Sequence, residues 1–260
     1  MTNGLSVGVH FVFSNGKLIL AEESYFALMS SMRGFRMKIP KDYTLEKFEA
    51  DCYFQYETCK VEKPFGAIFS FWASRKNPLE ISSDIDFFQK LECFLDQGKI
   101  PYKVTDKVGV LKSEFLCSGS FQSTLLTAGL WDVYPSLYAS DAQKDLVLLI
   151  NFNKKVSRTS KGNLLGIKEN KLILPELYSG ELKCILTEAF VNYLQKNEPS
   201  FFVVRNSQSI FELQTCQEIF TISPTDGFIL FSGFNGKTLE NQKTIELIEG
   251  FNSKIISGEY

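Results

Sequence analysis

The chain has 260 residues, 44% hydrophobic and 22% charged, with 24 phenylalanines. That composition supplies packed aromatic cores and excludes a disordered chain. A net charge of −2 and a pI near 5.7 exclude a global electrostatic attraction to nucleic acid or an anionic membrane.

The first element, GVHFVF-SNG-KLILAEE, reads as a hairpin, because Asn15-Gly16 supplies the positive φ that a tight turn needs. SYFALMSSM follows as a short helix ending near Gly34. FEADCYFQYETC alternates as a strand, PFGAIFSFWAS reads as a buried strand, and SSDIDFFQKLECFLDQG as a helix capped by Ser82 or Ser83 and closed by Gly98. The middle, from 101 to 160, is less regular. KVTDKVGVLKSEFLC is extended, Pro135 keeps QSTLLTAGLWDVYPSLYASDAQK from being one regular helix, and DLVLLINF is a buried strand. NKKVSRTSKGN is the linker candidate. Beyond it NLLGI-KEN-KLILPE forms a second hairpin, GELKCILTEAFVNYLQKN a helix, SFFVV, SIFELQTC and GFILFSGF strands, and LENQKTIELIEGFNSKI the last helix.

The pattern therefore begins again. Lys17-Leu18-Ile19-Leu20 recurs as Lys171-Leu172-Ile173-Leu174, Thr58-Cys59 as Thr215-Cys216, and Leu91-Glu92-Cys93-Phe94 resembles Ile248-Glu249-Gly250-Phe251, in one order and at nearly one offset. The expected fold class is α+β in two related halves, each a mainly antiparallel sheet that opens on a hairpin and packs helices on one face. The halves are 1–100 and 161–260, joined by 101–160. This element order is similar to that of longin and profilin-like folds, and no function is carried over from it.

Chemical motifs are incomplete. FILFSGFNGKT resembles a phosphate-binding loop, but GxxxxGK[ST] would need glycine at Phe231, and Gly233 leaves only Phe234 and Asn235 before Gly236-Lys237-Thr238. A turn at Asn235-Gly236, with Thr238 capping the last helix, explains it better. FLCSGSFQST resembles a phosphatase loop in which the clamping arginine is replaced by Ser123, so Cys117 is expected to be an ordinary strand-end thiol. His10 is the one histidine, and it reads as a strand residue, solvent-facing or hydrogen-bonded. Asp84 and Asp86 suit a helix start, and Asp132 neighbours Trp131. Glu181-x-Lys183 mimics a nuclease pattern, but it falls in a helical context and is set aside.

Two segments suit recognition. Trp131, Tyr134 and Tyr138 gather around Pro135 as candidate partner-binding anchors. Lys154, Lys155, Arg158 and Lys161 form the basic cluster, and Lys154, Lys155, Arg158 and Lys237 are weak anion-binding candidates. The N-terminal residues lack a secretory pattern, and no apolar run reaches the ~20 residues of a membrane-spanning helix. Cys52, Cys59, Cys93, Cys117, Cys184 and Cys216 have no CxxC spacing and read as reduced thiols in a cytoplasmic protein.

With each catalytic template lacking a member, the expectation is a non-catalytic protein-interaction module: an adaptor, inhibitor, chaperone-like or immunity-type factor. It would bind another protein and use no cofactor or metal. The alternatives are an enzyme acting on a phosphorylated or nucleotide-like ligand in a cleft between the halves, or a small-molecule sensor.

Overall fold

The computed structural model describes residues 6–59, 66–77, 80, 83–116 and 130–257. The chain divides into two compact units, the first built on Met1–Ile100 and the second on Pro101–Thr124 and Gly129–Asn252. It is a mixed α+β fold in which antiparallel pairing dominates the sheets.

In the first unit, β1 (Ser6–Ser14), β2 (Lys17–Ile19), β3 (Gly66–Arg75) and β4 (Ile85–Phe94) form one sheet in the order β2-β1-β3-β4. The first turn is tight because Asn15 and Gly16 both take positive φ, 49° and 74°. Helices α1 (Ala21–Gly34) and α2 (Leu45–Thr58) follow the hairpin. Phe11 of β1 stacks on Phe69 of β3 at 5.5 Å, and Phe48 of α2 meets the edge of Phe11 at 6.1 Å, so aromatic contacts fasten the helix to the sheet.

Two assignments read from the sequence are reversed here. The expected strand FEADCYFQYETC is α2. Thr44 accepts a hydrogen bond from the Lys47 amide as its N-cap, and Phe48 and Cys52, one turn apart, are its buried residues. The expected helix SSDIDFFQKLECFLDQG is largely β4, which pairs with β3 from Arg75↔Ile85 to Ala67↔Phe94. Its adjacent phenylalanines point to opposite faces: Phe87 stacks on Tyr43 at 4.3 Å, while Phe88 stacks on Trp72 at 6.4 Å. Cross-strand aromatic pairing outweighed the apparent cap and acidic first turn.

The second unit has a six-stranded sheet in the order β11-β10-β9-β12-β13-β5 and a three-stranded sheet in the order β6-β7-β8. The strands are β5 (Tyr102–Thr105), β6 (Val108–Leu116), β7 (Leu146–Asn151), β8 (Val156–Thr159), β9 (Asn163–Lys168), β10 (Lys171–Leu174), β11 (Phe202–Arg205), β12 (Glu218–Ser223) and β13 (Gly227–Phe231). Leu146 and Leu148 of β7 share a core with Leu164 of β9, Ile219 of β12 and Ile229 and Phe231 of β13, so the two sheets meet over common apolar side chains. The alternate residues Phe220 and Phe228 face the other way, onto α4 (Ile185–Asn197) and α6 (Gln242–Ser257), where Phe190, Tyr193 and Phe251 complete an aromatic cluster. Burial on both faces explains why β13 reads as a continuous apolar run. Gly250 lets α6 approach α4, since a Cβ there would lie 2.2 Å from the Tyr193 hydroxyl.

Helix α3 (Leu130–Asp141) runs through Pro135, which does not break it. The expected strand SIFELQTC instead contains α5 (Ile210–Leu213), a single turn closed by a Ser209–Glu212 capping box. Thr238 does not cap the last helix; it pairs in β15 (Lys237–Thr238) with β14 (Gly233–Phe234) across the Asn235-Gly236 turn. The start of α6 is instead held by Glu218, 5% exposed on β12, whose carboxylate accepts hydrogen bonds from the amides of Lys243 at 2.9 Å and Thr244 at 2.7 Å. The third internal match joins unlike elements, strand β4 with helix α6, so it carries no duplication. Among the described residues no helix is long and apolar enough to cross a membrane.

Two substitutions check these supports by urea unfolding. Phe251→Ala empties the centre of the α4–α6 cluster and is expected to cost about 3–5 kcal/mol. Glu218→Ala leaves two helix-end amides without their acceptor, at roughly 1–3 kcal/mol for each buried group left unpaired. An unchanged midpoint for either variant would contradict the packing described.

Candidate functional site

In the second unit, a cavity of about 190 Å³ opens where the chain enters α4. Its walls come from the segment around Tyr178–Cys184, from Thr187 and Glu188 in the first turn of α4, from Arg205 at the end of β11, and from Asn163 at the start of β9. Positive φ at Tyr178 (66°) and Gly180 (109°) turns the segment back on itself. The Ser179 carbonyl then accepts hydrogen bonds from Asn151 Nδ2 at 3.1 Å and Ser157 Oγ at 2.7 Å. Asn163, 3% exposed, holds the next stretch at two points: its Nδ2 donates to the Leu182 carbonyl at 2.7 Å, and its Oδ1 accepts from the Leu182 amide at 2.8 Å. Nδ2 also lies 3.3 Å from Thr187 Oγ1, which ties the segment to the helix.

The cavity carries both signs of charge. Arg205 Nη1 donates to both Glu181 carboxylate oxygens, at 3.2 and 3.0 Å, and to the Pro175 carbonyl at 3.3 Å. Burial raises the Glu181 carboxyl above the usual glutamate range, and Arg205 opposes that shift. Lys183 Nζ lies 3.9 Å from Glu188 Oε1. Cys184 is the N-cap residue of α4 and makes no side-chain cap hydrogen bond. The helix start presents amides and a positive dipole end, with only the weakly accepting Cys184 sulfur beside the Leu186 and Thr187 amides. Burial pushes the Cys184 thiol up, which keeps it protonated and a poor nucleophile.

Few of these groups were picked out from the sequence. Glu181 and Lys183, which the sequence reads as helical, lie in the irregular segment before α4. Asn163 and Arg205 were missed altogether. The available signals were weak: an asparagine opening a strand and one of five arginines ending another.

The residues that were picked out lie elsewhere. On α3, Tyr134 and Tyr138 pack against a cluster containing Leu111, Val147 and Leu149, while Val133 and Leu137 are exposed. Trp131 falls in α3, and its side chain lies outside the described residues, as does Cys117. Lys154 occupies a turn at φ 58° and is exposed. Lys155 pairs with Glu212 at 2.8 Å, Arg158 is 8% exposed opposite Leu149, and Lys237 Nζ donates to the carbonyls of Gln214 and Cys216 at 2.9 and 2.8 Å. Lys155 and Lys237 thus spend their charge on separate partners. In the first unit, His10 Nδ1 lies 2.8 Å from Ser70 Oγ, and Ser70 donates to Glu92. Ser70 is fully buried, which removes it as a nucleophile. Among the described residues no group of three or more His, Cys, Asp or Glu could hold a metal ion.

No protein-family model and no curated protein matches the sequence. Solved structures do match. A branched-chain aminotransferase from Thermoproteus uzoniensis, with norvaline, superposes with a TM-score of 0.84 at 16% identity, covering 99% of this chain and 87% of that one. A putative 4-amino-4-deoxychorismate lyase from Legionella pneumophila gives 0.77 at 16% identity, over 96% of this chain and 91% of that one. A branched-chain amino acid aminotransferase from Thermobaculum terrenum, in its PLP form, gives 0.76 at 13% identity, over 98% and 86%.

These matches overturn the expectation of a non-catalytic protein-binding module, and with it the leaning away from an enzyme. The fold found across nearly the whole chain is one carried by named enzymes. Incomplete motifs carry the non-catalytic expectation, and motif spacing is no guide where side chains converge from distant segments.

Pyridoxal phosphate, which the Thermobaculum protein carries in its holo form, is a test for these residues. Enzymes hold it through a lysine imine, with an acidic or arginine partner at the pyridine nitrogen. Arginine and carboxylate are present at the cavity, but its lysine, Lys183, is 32% exposed and faces Glu188, and no described lysine in the chain is buried. The residues present do not fit that link. What the chain shares with the branched-chain aminotransferases and the lyase is their fold.

Proposed function

We propose that this chain is an enzyme acting on a small amino acid or a close amino-carboxylate analogue at the start of α4. The carrying observation is the Glu181–Arg205 pair on the cavity wall, a largely covered carboxylate facing a partly exposed guanidinium, with the carboxyl raised by burial. A zwitterion complements such a site: its carboxylate meets Arg205 and the amides at the helix start, and its ammonium meets Glu188 and Glu181. Support also comes from the solved structures of like fold, since one is with norvaline and all three are named as enzymes of amino compounds.

Glu181 has the attributes of an acid–base residue. Its side chain is 14% exposed, its proton affinity is raised, and a cation on the same cavity wall steadies the charged form. Arg205 orients the substrate carboxylate and keeps Glu181 ionisable despite burial. Asn163 and Thr187 position the segment that carries Glu181 rather than touching the reacting atoms. The reaction class is proton transfer at the carbon bearing the amino group. A cytoplasmic location belongs to the same reading, supported by Cys52, Cys59, Cys184 and Cys216 being free thiols.

Exchange of the α-proton for deuterium in D₂O, followed by NMR over a panel of aliphatic amino acids, tests this directly. Glu181→Gln is expected to slow exchange by about 100- to 10,000-fold. Because burial raises the carboxyl, exchange by the native chain should rise with pH through a transition above the ordinary glutamate range. Arg205→Met removes the opposing cation, so it should move that transition to still higher pH and raise KM. Exchange unaffected by Glu181→Gln, or no exchange with any amino acid, would sink the proposal.

A further inference from the structure

We infer that this chain carries no lysine-linked pyridoxal phosphate, so that the chemistry at the start of α4 is done by its own side chains. This rests on the reading of the α4 cavity given above, and it concerns what that site does without. An imine forms when an uncharged lysine amine adds to the aldehyde and water leaves. The amine must therefore be desolvated, or held near another cation, and aimed into a closed pocket. No described lysine meets that requirement.

Lys183, the lysine at the cavity, is partly open to solvent and faces a carboxylate rather than a cation. Lys103 and Lys161 both approach Asp226, at 3.3 and 3.9 Å. Lys155 is engaged by Glu212, and Lys237 by two backbone carbonyls. The stretch from 113 to 143 contains no lysine at all, so its undescribed residues cannot supply one. Lys60 and Lys63 lie outside the described residues. At the cavity wall a cation is indeed present, but it is Arg205, whose guanidinium cannot form an imine because it stays protonated. The site thus retains anion recognition and an acid–base carboxyl in a fold that, in the Thermobaculum protein, holds the cofactor.

The test uses the full-length protein incubated with excess pyridoxal 5′-phosphate, desalted, and treated with borohydride, which fixes any imine as a stable amine. The expected result is no visible absorption band after desalting. Intact mass should show only the scattered, sub-stoichiometric labelling seen on an unrelated protein with exposed lysines, unchanged by Lys183→Met. One stoichiometric adduct mapped to a single lysine, at residue 183, 60, 63 or elsewhere, would overturn the inference. That outcome is distinguishable from failure of the proposed function. An adduct together with Glu181-dependent exchange refutes only the cofactor inference, whereas absence of both adduct and exchange refutes only the amino-acid enzyme.

Discussion

Asn163 opens strand β9 and spends its carboxamide on the segment entering α4, exchanging two hydrogen bonds with the Leu182 backbone and approaching Thr187 with the same nitrogen. Everything at the cavity depends on that clamp. A buried carboxamide is costly unless its donors and acceptor are satisfied, so the segment and the sheet must meet in one register. The register brings Glu181 in front of Arg205 and leaves the first turn of α4 facing the cavity. The Ser179 carbonyl, held from Asn151 and Ser157, fixes the other end of the same segment.

The electrostatics follow from that geometry. Glu181 is buried enough for desolvation to raise its carboxyl, and Arg205 is close enough to oppose that shift. A carboxyl between those limits can both take and return a proton, which a fully exposed carboxylate does less well. The uncapped α4 terminus adds a positive end without another side chain. Cys184 sits at the same place, but burial holds its thiol protonated, so the cavity's chemistry falls to oxygen and nitrogen groups.

Local chemistry in the sequence located many elements and few site residues. The Asn15-Gly16 turn, the β9–β10 hairpin and the buried runs of β7 and β13 were legible because each depends on nearby residues. The reversal of α2 and β4 has a different origin. Both segments carry apolar residues at spacings that suit either period, and the deciding contacts, Phe87 on Tyr43 and Phe48 on Phe11, come from distant segments. The same holds for Glu218, an acid in an apolar strand that turns out to cap α6 from across the unit. At the cavity, Glu181 and Arg205 lie 24 residues apart, and their meeting is a property of packing. Basic residues next to one another, such as Lys154 and Lys155, attracted attention in the sequence and proved to face separate tasks.

The claim tested most directly is that the α4 cavity is where an amino acid binds. Titration of ¹⁵N-labelled protein with norvaline or leucine, observed by amide NMR, addresses it without requiring turnover. The account predicts saturable shifts concentrated on the amides of Leu182, Cys184, Ile185 and Leu186 and on the Arg205 side chain, lost in Arg205→Met. Shifts that leave those signals unmoved, or no saturable response to any amino acid, would contradict it.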